Sequence, residues 1–264
     1  GCDMKIGVGG VYPHESAGFG GGDKIIHPGI CGKETALYLH AHLKGVQRGD
    51  TVDNEFRADM DEIVRKVGLD FIVNVILNQS REISGIFCGH RVIAYKKAIK
   101  FAKQFYGVKP IYDADIIITN IYPFDTSLHF ISKGLWPFKY GRKISSRVVI
   151  ASCSEGLGHH ELSLSSLSGW TGLVRRVKAL SRHDIHRFFF GVENKESEFF
   201  LFSPNIEKKS LKKIYKKAKL FKTWESLIKE LIVRHKKMPV KVAIYPCAPL
   251  QIPSDSESLC DNFI

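Results

Sequence analysis

His14, Lys24 and His40 follow one another at spacings of ten and sixteen residues, and Gly18-Phe19-Gly20-Gly21-Gly22-Asp23 runs between the first two. Histidine can carry a proton near neutral pH or hold a metal. A lysine amine can supply a cation or a covalent nitrogen. Gly20, Gly21 and Gly22 lack a Cβ, so a ligand could lie against their main chain, a phosphate included. The run is not a P-loop, because no Ser or Thr follows Lys24, and it lacks the ordered glycines of a dinucleotide fold. His14 follows Pro13 in a stiffened backbone. That suits an imidazole held for proton transfer, and equally a loop histidine bonded to the backbone. Lys24 reads either as a ligand contact or as an exposed loop lysine. His40 and His42 are two apart on a predicted helix and point in different directions. A metal held by one of them takes its other donors from elsewhere or from a cofactor.

A second dense group is Cys153-Ser154-Glu155-Gly156-Leu157-Gly158-His159-His160-Glu161. It admits a zinc site, a thiol nucleophile with a histidine base, or a strand exit that lines a pocket; the adjacent histidines diverge, which favours the last. His183 and His186 flank Asp184 on a polar, surface-type segment.

The elements that must position these residues alternate between strand and helix. A buried strand at 5–8 delivers the chain into the glycine-rich turn, and 33–44 has helical spacing. Residues 54–67 read as a helix with acids early and bases late, stopped by Gly68. The nearly unbroken apolar run 70–77 predicts a central strand covered on both faces, with 83–88 as its hairpin partner. A long helix over 90–106 ends at Gly107 and Pro110. A second alternation follows, with strands at 114–119, 147–152, 199–202 and 240–245 and helices at 127–135, 170–180, 208–219 and 224–235. The expected fold is α/β, two domains (1–107 and 108–264) with mostly parallel sheets. Ligands collect at the carboxyl ends of such strands, which singles out the loops 9–29, 120–126 and 152–160.

The chain has 264 residues and a formal charge of +12. Seven lysines between Lys208 and Lys219 supply much of that excess, and Tyr215 is the sole aromatic residue among them. A solvated helix face is the simpler reading, and nucleic acid the competing one. Six scattered cysteines without a CxxC pair fit a reduced, cytoplasmic compartment. No apolar run approaches the roughly 18 residues of a membrane span. The opening Gly1-Cys2-Asp3-Met4-Lys5 has no signal-peptide pattern and enters directly into a strand, as the later part of a longer protein would.

With these residues in hand, the chain resembles the nickel-dependent lactate racemase family. The order His14, Lys24 within Gly-Gly-x-Lys-x-x-x-Pro-Gly, then His40 carries the resemblance most specifically. Asn54, Arg57, the 70–78 run with Asn74, Tyr122-Pro123 and the 151–156 loop support it. The resemblance implies a nickel pincer nucleotide attached covalently at Lys24, with His40 as the nickel ligand and Gly20, Gly21 and Gly22 around it, and cofactor and substrate in the cleft between the two domains. His14 would be one of two catalytic histidines exchanging the substrate hydroxyl proton while hydride leaves C2; the other belongs to a family segment upstream of Gly1. A planar 2-keto acid taking hydride back on either face gives racemisation or epimerisation of a 2-hydroxy acid. The partners implied are that small acid and cofactor-maturation enzymes, with no membrane. Where the family has tyrosine, glutamine and lysine at the substrate end of a helix, this chain carries His129, Phe130 and Lys133. Lys133 would bind the carboxylate, and Phe130 in place of an amide points to a larger or more apolar acid than lactate. The alternative is a relative without catalysis that binds a nucleotide or metabolite.

Overall fold

A computed structural model describes residues 2–15, 17–32, 35–36, 48–49, 55–158, 199–236 and 239–254. The α/β class expected from the sequence is found. The chain divides into two compact units, Gly1–Lys109 with Leu250–Ile264, and Pro110–Pro249. The sequence reading ran the second domain on to residue 264, whereas here the described residues from Leu250 group with the first unit. The predicted helix at 170–180 and nearly all of that at 33–44 lie outside the described residues.

In the first unit, β1 (Ile6–Gly10) pairs in parallel with β4 (Phe71–Leu77), which pairs antiparallel with β5 (Ile83–Gly89). The hairpin read at 70–88 is therefore present. Two short strands, β2 (Pro13–His14) and β3 (Gly18–Phe19), form a hairpin of their own after β1. Helix α1 (Glu55–Val67) buries Met60 and Val64, one turn apart, and stops at Gly68, whose N–H reaches the Val64 carbonyl at 2.9 Å. Helix α2 (Arg91–Phe105) lays Ala94, Tyr95, Ala98 and Ala102 across β4 and β5. Their spacing of three or four makes one stripe, and three alanines let the helix come close to the sheet.

β4 departs from the sequence reading. Ile72, Asn74 and Ile76 are fully buried, but Phe71, Val73, Val75 and Leu77 on its other face are only half-buried. The register places exposed Ile6 and Val8 of β1 and Ile86 of β5 on that same face. So β1 is not the buried strand predicted either. An apolar run reports that a strand is hydrophobic on both sides, not that both sides are covered.

The second unit holds a parallel sheet in the order β10-β9-β8-β7-β11, formed by β7 (Ile116–Asn120), β8 (Ser146–Ile150), β9 (Phe199–Phe202), β10 (Ala218–Phe221) and β11 (Val242–Tyr245). Ile116, Val148, Phe200 and Phe221 pack against Leu227 and Leu231 of a helix at Trp224–Arg234. That helix starts where the Thr223 hydroxyl accepts the Ser226 N–H. The lysine-rich helix predicted over 208–219 is corrected: α3 covers only Lys208–Ile214, and the chain then turns and enters β10. Leu211 and Ile214 anchor the helix while Ala218 and Phe221 are buried in strand spacing, so the lysines belong to two elements. Lys219 pairs with Glu230 at 2.9 Å. The tail strand β12 (Ile252–Pro253) pairs with β6 (Gly107–Val108) in the first unit.

Phe200 is 1% exposed at the centre of the parallel sheet. Phe200→Ala is expected to lower the unfolding free energy by about 3–5 kcal/mol, read from the urea midpoint of the transition that reports the second unit.

Candidate functional site

The first candidate site grows out of the end of β1. Val11 donates to the Val75 carbonyl at 2.9 Å, which carries the chain on along β4, and Gly20 N–H returns to the Tyr12 carbonyl at 2.7 Å. Between these points the β2–β3 hairpin sets His14 opposite Gly18. The His14 Nδ1 accepts the Ala17 N–H at 3.3 Å. The backbone-bonded histidine is thus realised. Next to it, Glu15 pairs with the buried Arg48 at 2.7 Å, Arg48 Nε donates to the Gln251 carbonyl, and Gly49 N–H donates to Gly18.

Lys24 lies on a 3-10 turn at Gly22–Ile25 and is half-buried. Its neighbour Asp23 is held by Arg91 at 2.6 Å, and Arg91 also holds Asp61 at 2.6 Å. Arg57 of α1 fixes the approach to the turn. Its guanidinium donates to the carbonyls of Ala17, Phe19 and Gly21 and to the Tyr95 hydroxyl, and it stands 4.4 Å from the centre of the Tyr95 ring. The Asn74 Oδ1 accepts the Gly22 N–H at 3.1 Å, and its buried Nδ2 has no partner among the described residues.

The three glycines sit in a closely packed turn. Gly20, Gly21 and Gly22 are buried. Gly21 and Gly22 have φ of 72° and 58°, and a Cβ would fall 2.7 Å from Val11 at the first and 2.7 Å from the Tyr95 ring at the second. Their missing side chains let the turn close onto β1 and α2, so these α-carbons face protein and not an open cradle.

His27, given no role from sequence, is buried three residues beyond Lys24, with Nδ1 3.2 Å from the Cys31 sulfur. Burial pulls its pKa below the ordinary value; Asp59 opposes this and the Lys24 charge adds to it. His40 and His42 lie outside the described residues. Arg57, Tyr95 and Asn74 were not singled out as site residues. Asn74 had one signal, a polar side chain at an inward position of an alternating apolar strand.

The second unit brings Lys133 to the carboxyl end of β7, on a 3-10 turn at Leu128–Gly134 where a helix over 127–135 was predicted. The sheet order reverses between β7 and β11, which makes this end of the sheet a switch point. Lys133 Nζ stands 5.6 Å from the Phe124 ring and 5.7 Å from the Phe130 ring, with His129 edge-on to Phe130 at 5.4 Å. The loop after β8 is bonded to this one: Asp125 accepts the N–H groups of Ser152 and Cys153, and Leu128 donates to Gly156. Cys153 is buried, and burial first, then the Asp125 charge, pushes its thiol up to about 11 against a Ser203 hydrogen bond. It is a thiol at neutral pH, not a nucleophile. His159, His160 and Glu161 lie outside the described residues. Among the described residues no group of three or more His, Cys, Asp or Glu could hold a metal, and no helix is long and apolar enough to cross a membrane.

Two measurements follow from these environments. Folding favours neutral His27, so its contribution to stability is complete above the unfolded pKa of about 6.5 and is lost as pH falls below it. The urea midpoint is expected to drop more between pH 7 and pH 5 in the wild type than in His27→Gln. Iodoacetamide on the native protein at pH 7.5 is expected to label exposed Cys88 within minutes and leave Cys153 unmodified, as read by peptide mass.

Residues 1–51 match the family model of the lactate racemase N-terminal domain. The chain is 33% identical over 166 residues to the lactate racemase of Thermoanaerobacterium thermosaccharolyticum and 30% identical over 164 residues to that of Lactiplantibacillus plantarum. Each alignment takes in 60% of this chain and 38% of the relative, so the chain spans well under half the length of the curated relatives it matches. Among solved structures, the lactate racemase apoprotein from Thermoanaerobacterium thermosaccharolyticum superposes with a TM-score of 0.72 at 22% identity, over 96% of this chain and 63% of that one. A protein from Thermotoga maritima superposes at 0.55 with 18% identity, over 96% of this chain and 67% of its own. The resemblance first read from the order of His14, Lys24 and His40 is thereby borne out as a likeness: the chain is similar to lactate racemases, with the N-terminal-domain model matched at residues 1–51 and the fold of a lactate racemase shared over nearly its whole length.

Proposed function

We propose that this chain supplies the cofactor-attaching and carboxylate-binding parts of a 2-hydroxy-acid racemase or epimerase. The observation that carries the reading is the single hydrogen-bonded loop bearing both His14 and Lys24, inside the residues matched to the racemase N-terminal domain. The residues fit a nickel pincer nucleotide in kind. Such a group brings three donors of its own and asks the protein for one amine and one imidazole, which Lys24 and His40 would provide. The chemistry it supplies when bound is reversible acceptance of hydride.

The chain's own residues do the rest. Gly20 to Gly22, packed under Tyr12, Val11 and Tyr95, keep the Lys24 backbone fixed, so the amine attaches at a defined place. His14 exchanges a proton with the substrate hydroxyl. Lys133 pairs with the carboxylate. The Phe124 and Phe130 rings around its ammonium exclude water and leave an apolar wall where an amide would have offered a hydrogen bond. A substrate with a larger apolar side chain than lactate follows.

Intact mass and nickel content, measured on protein matured with cofactor-building enzymes, test the reading. The wild type is expected to gain the mass of the cofactor and one nickel, and Lys24→Ala neither; a matured wild type with no added mass and no nickel sinks it. In a panel of 2-hydroxy acids of increasing side-chain size, Phe130→Gln is expected to move the preference towards lactate by about 10-fold or more in kcat/KM.

A further inference from the structure

We propose that the uncovered face of the sheet formed by β1, β4 and β5 seats a polypeptide equivalent to the part of a lactate racemase that this chain does not match, which covers the sheet with an apolar face of its own. The register builds the surface in rows. Val8, Val73 and Cys88 stand side by side in one row, and Val75 and Ile86 in the next, with Ile6 extending the face along β1. Ile6, Val8 and Ile86 are each more than half exposed, Cys88 is exposed, and Val73 and Val75 between them are half-buried. None of these side chains is charged. The opposite face is closed, with Ile72, Asn74 and Ile76 fully buried where α2 crosses β4. A sheet that is apolar on both faces needs a layer on each, and a contiguous exposed apolar patch of this kind marks a contact surface.

The shared fold selects the occupant. The lactate racemase apoprotein superposes on 96% of this chain, yet more than a third of that racemase has no counterpart here. The fold thus comes with a further stretch of polypeptide, and this sheet lacks one layer. The proposal is the same whether that polypeptide is continuous with this one or separate. A second copy of this chain would bring together two formal charges of +12. A lipid surface would meet no lysine or arginine in these rows to pair with its phosphates. β1 runs from this face into the loop of His14 and Lys24, so the covering layer stands against the strand that leads into that loop. The proposal rests on the shared fold and not on the racemase activity.

The test is co-expression of this chain, tagged, with the unmatched part of the Thermoanaerobacterium thermosaccharolyticum racemase as a second, untagged polypeptide. The wild type is expected to carry that polypeptide through affinity purification and size exclusion as a one-to-one complex. In the complex, iodoacetamide is expected to label Cys88 about 10-fold or more slowly than in the chain alone, since the face is then shielded. Val8→Glu and Ile86→Glu are expected to lose the complex. Each free variant is expected to melt within about 3 °C of the wild type, because both side chains stand in solvent there. A free variant that melts far earlier or fails to fold overturns the proposal, because the face then belongs to the chain's own core. So does a wild-type chain that dimerises alone with Cys88 protected and returns to monomer in Val8→Glu, which makes a second copy the occupant. A complex indifferent to both substitutions, or no complex at all, overturns it as well. A matured pair that forms the complex but takes up no nickel refutes the racemase reading and leaves this one standing.

Discussion

A buried guanidinium facing three backbone carbonyls holds the first unit's glycine-rich loop in place. Taking Arg57 out of water is costly, and burial pulls its pKa below the ordinary arginine value, with Tyr95 and Asp23 opposing. The cost is offset only where the planar fork of donors finds acceptors on several sides. The segment from Ala17 to Gly21 provides them on alternate residues, so an irregular stretch of backbone acquires one geometry. That geometry has further requirements. Tyr95 must stand against the guanidinium, and it can do so because Gly22 presents no side chain to its ring. Asn74 must project from β4 to hold the Gly22 amide.

Much of the scaffold was legible because strand and helix periods are local. β4, its hairpin partner β5, α1, α2 and β9 were all readable from apolar spacing and from Gly68, Gly107 and Pro110 as breaks. The failures have physical causes. Periodicity shows where apolar side chains point and not what covers them, which is why Ile6, Val8 and Ile86 are exposed on a strongly apolar sheet. Lysines every three or four residues continue a helical pattern past Ile214, although burial of Ala218 and Phe221 decides for a strand. At the site, His14 and Lys24 were visible as residue types at a spacing. Arg57 and Tyr95 were not singled out, because their main partners are backbone carbonyls about forty and eighty residues away.

The two units hold their candidate residues by different means. In the first, charged and amide side chains reach across to bind backbone, and the loop has little shape of its own. In the second, the loops after β7 and β8 bond to one another through Asp125 and Gly156, and Lys133 rests among aromatic rings. The first arrangement fixes backbone position. The second sets a cation in an apolar frame, where its attraction for a carboxylate is less screened than in water.

The strand β12 adds a matter of timing. Gln251 accepts from Arg48, and Arg48 holds Glu15 beside His14, so the histidine loop is braced by a segment 203 residues further along the chain. At about 5–20 residues per second, a ribosome makes that brace roughly 10–40 s after Arg48. The loop that carries His14 therefore waits, incompletely supported, while the second unit is synthesised, and its support is complete only once Gln251 has been made.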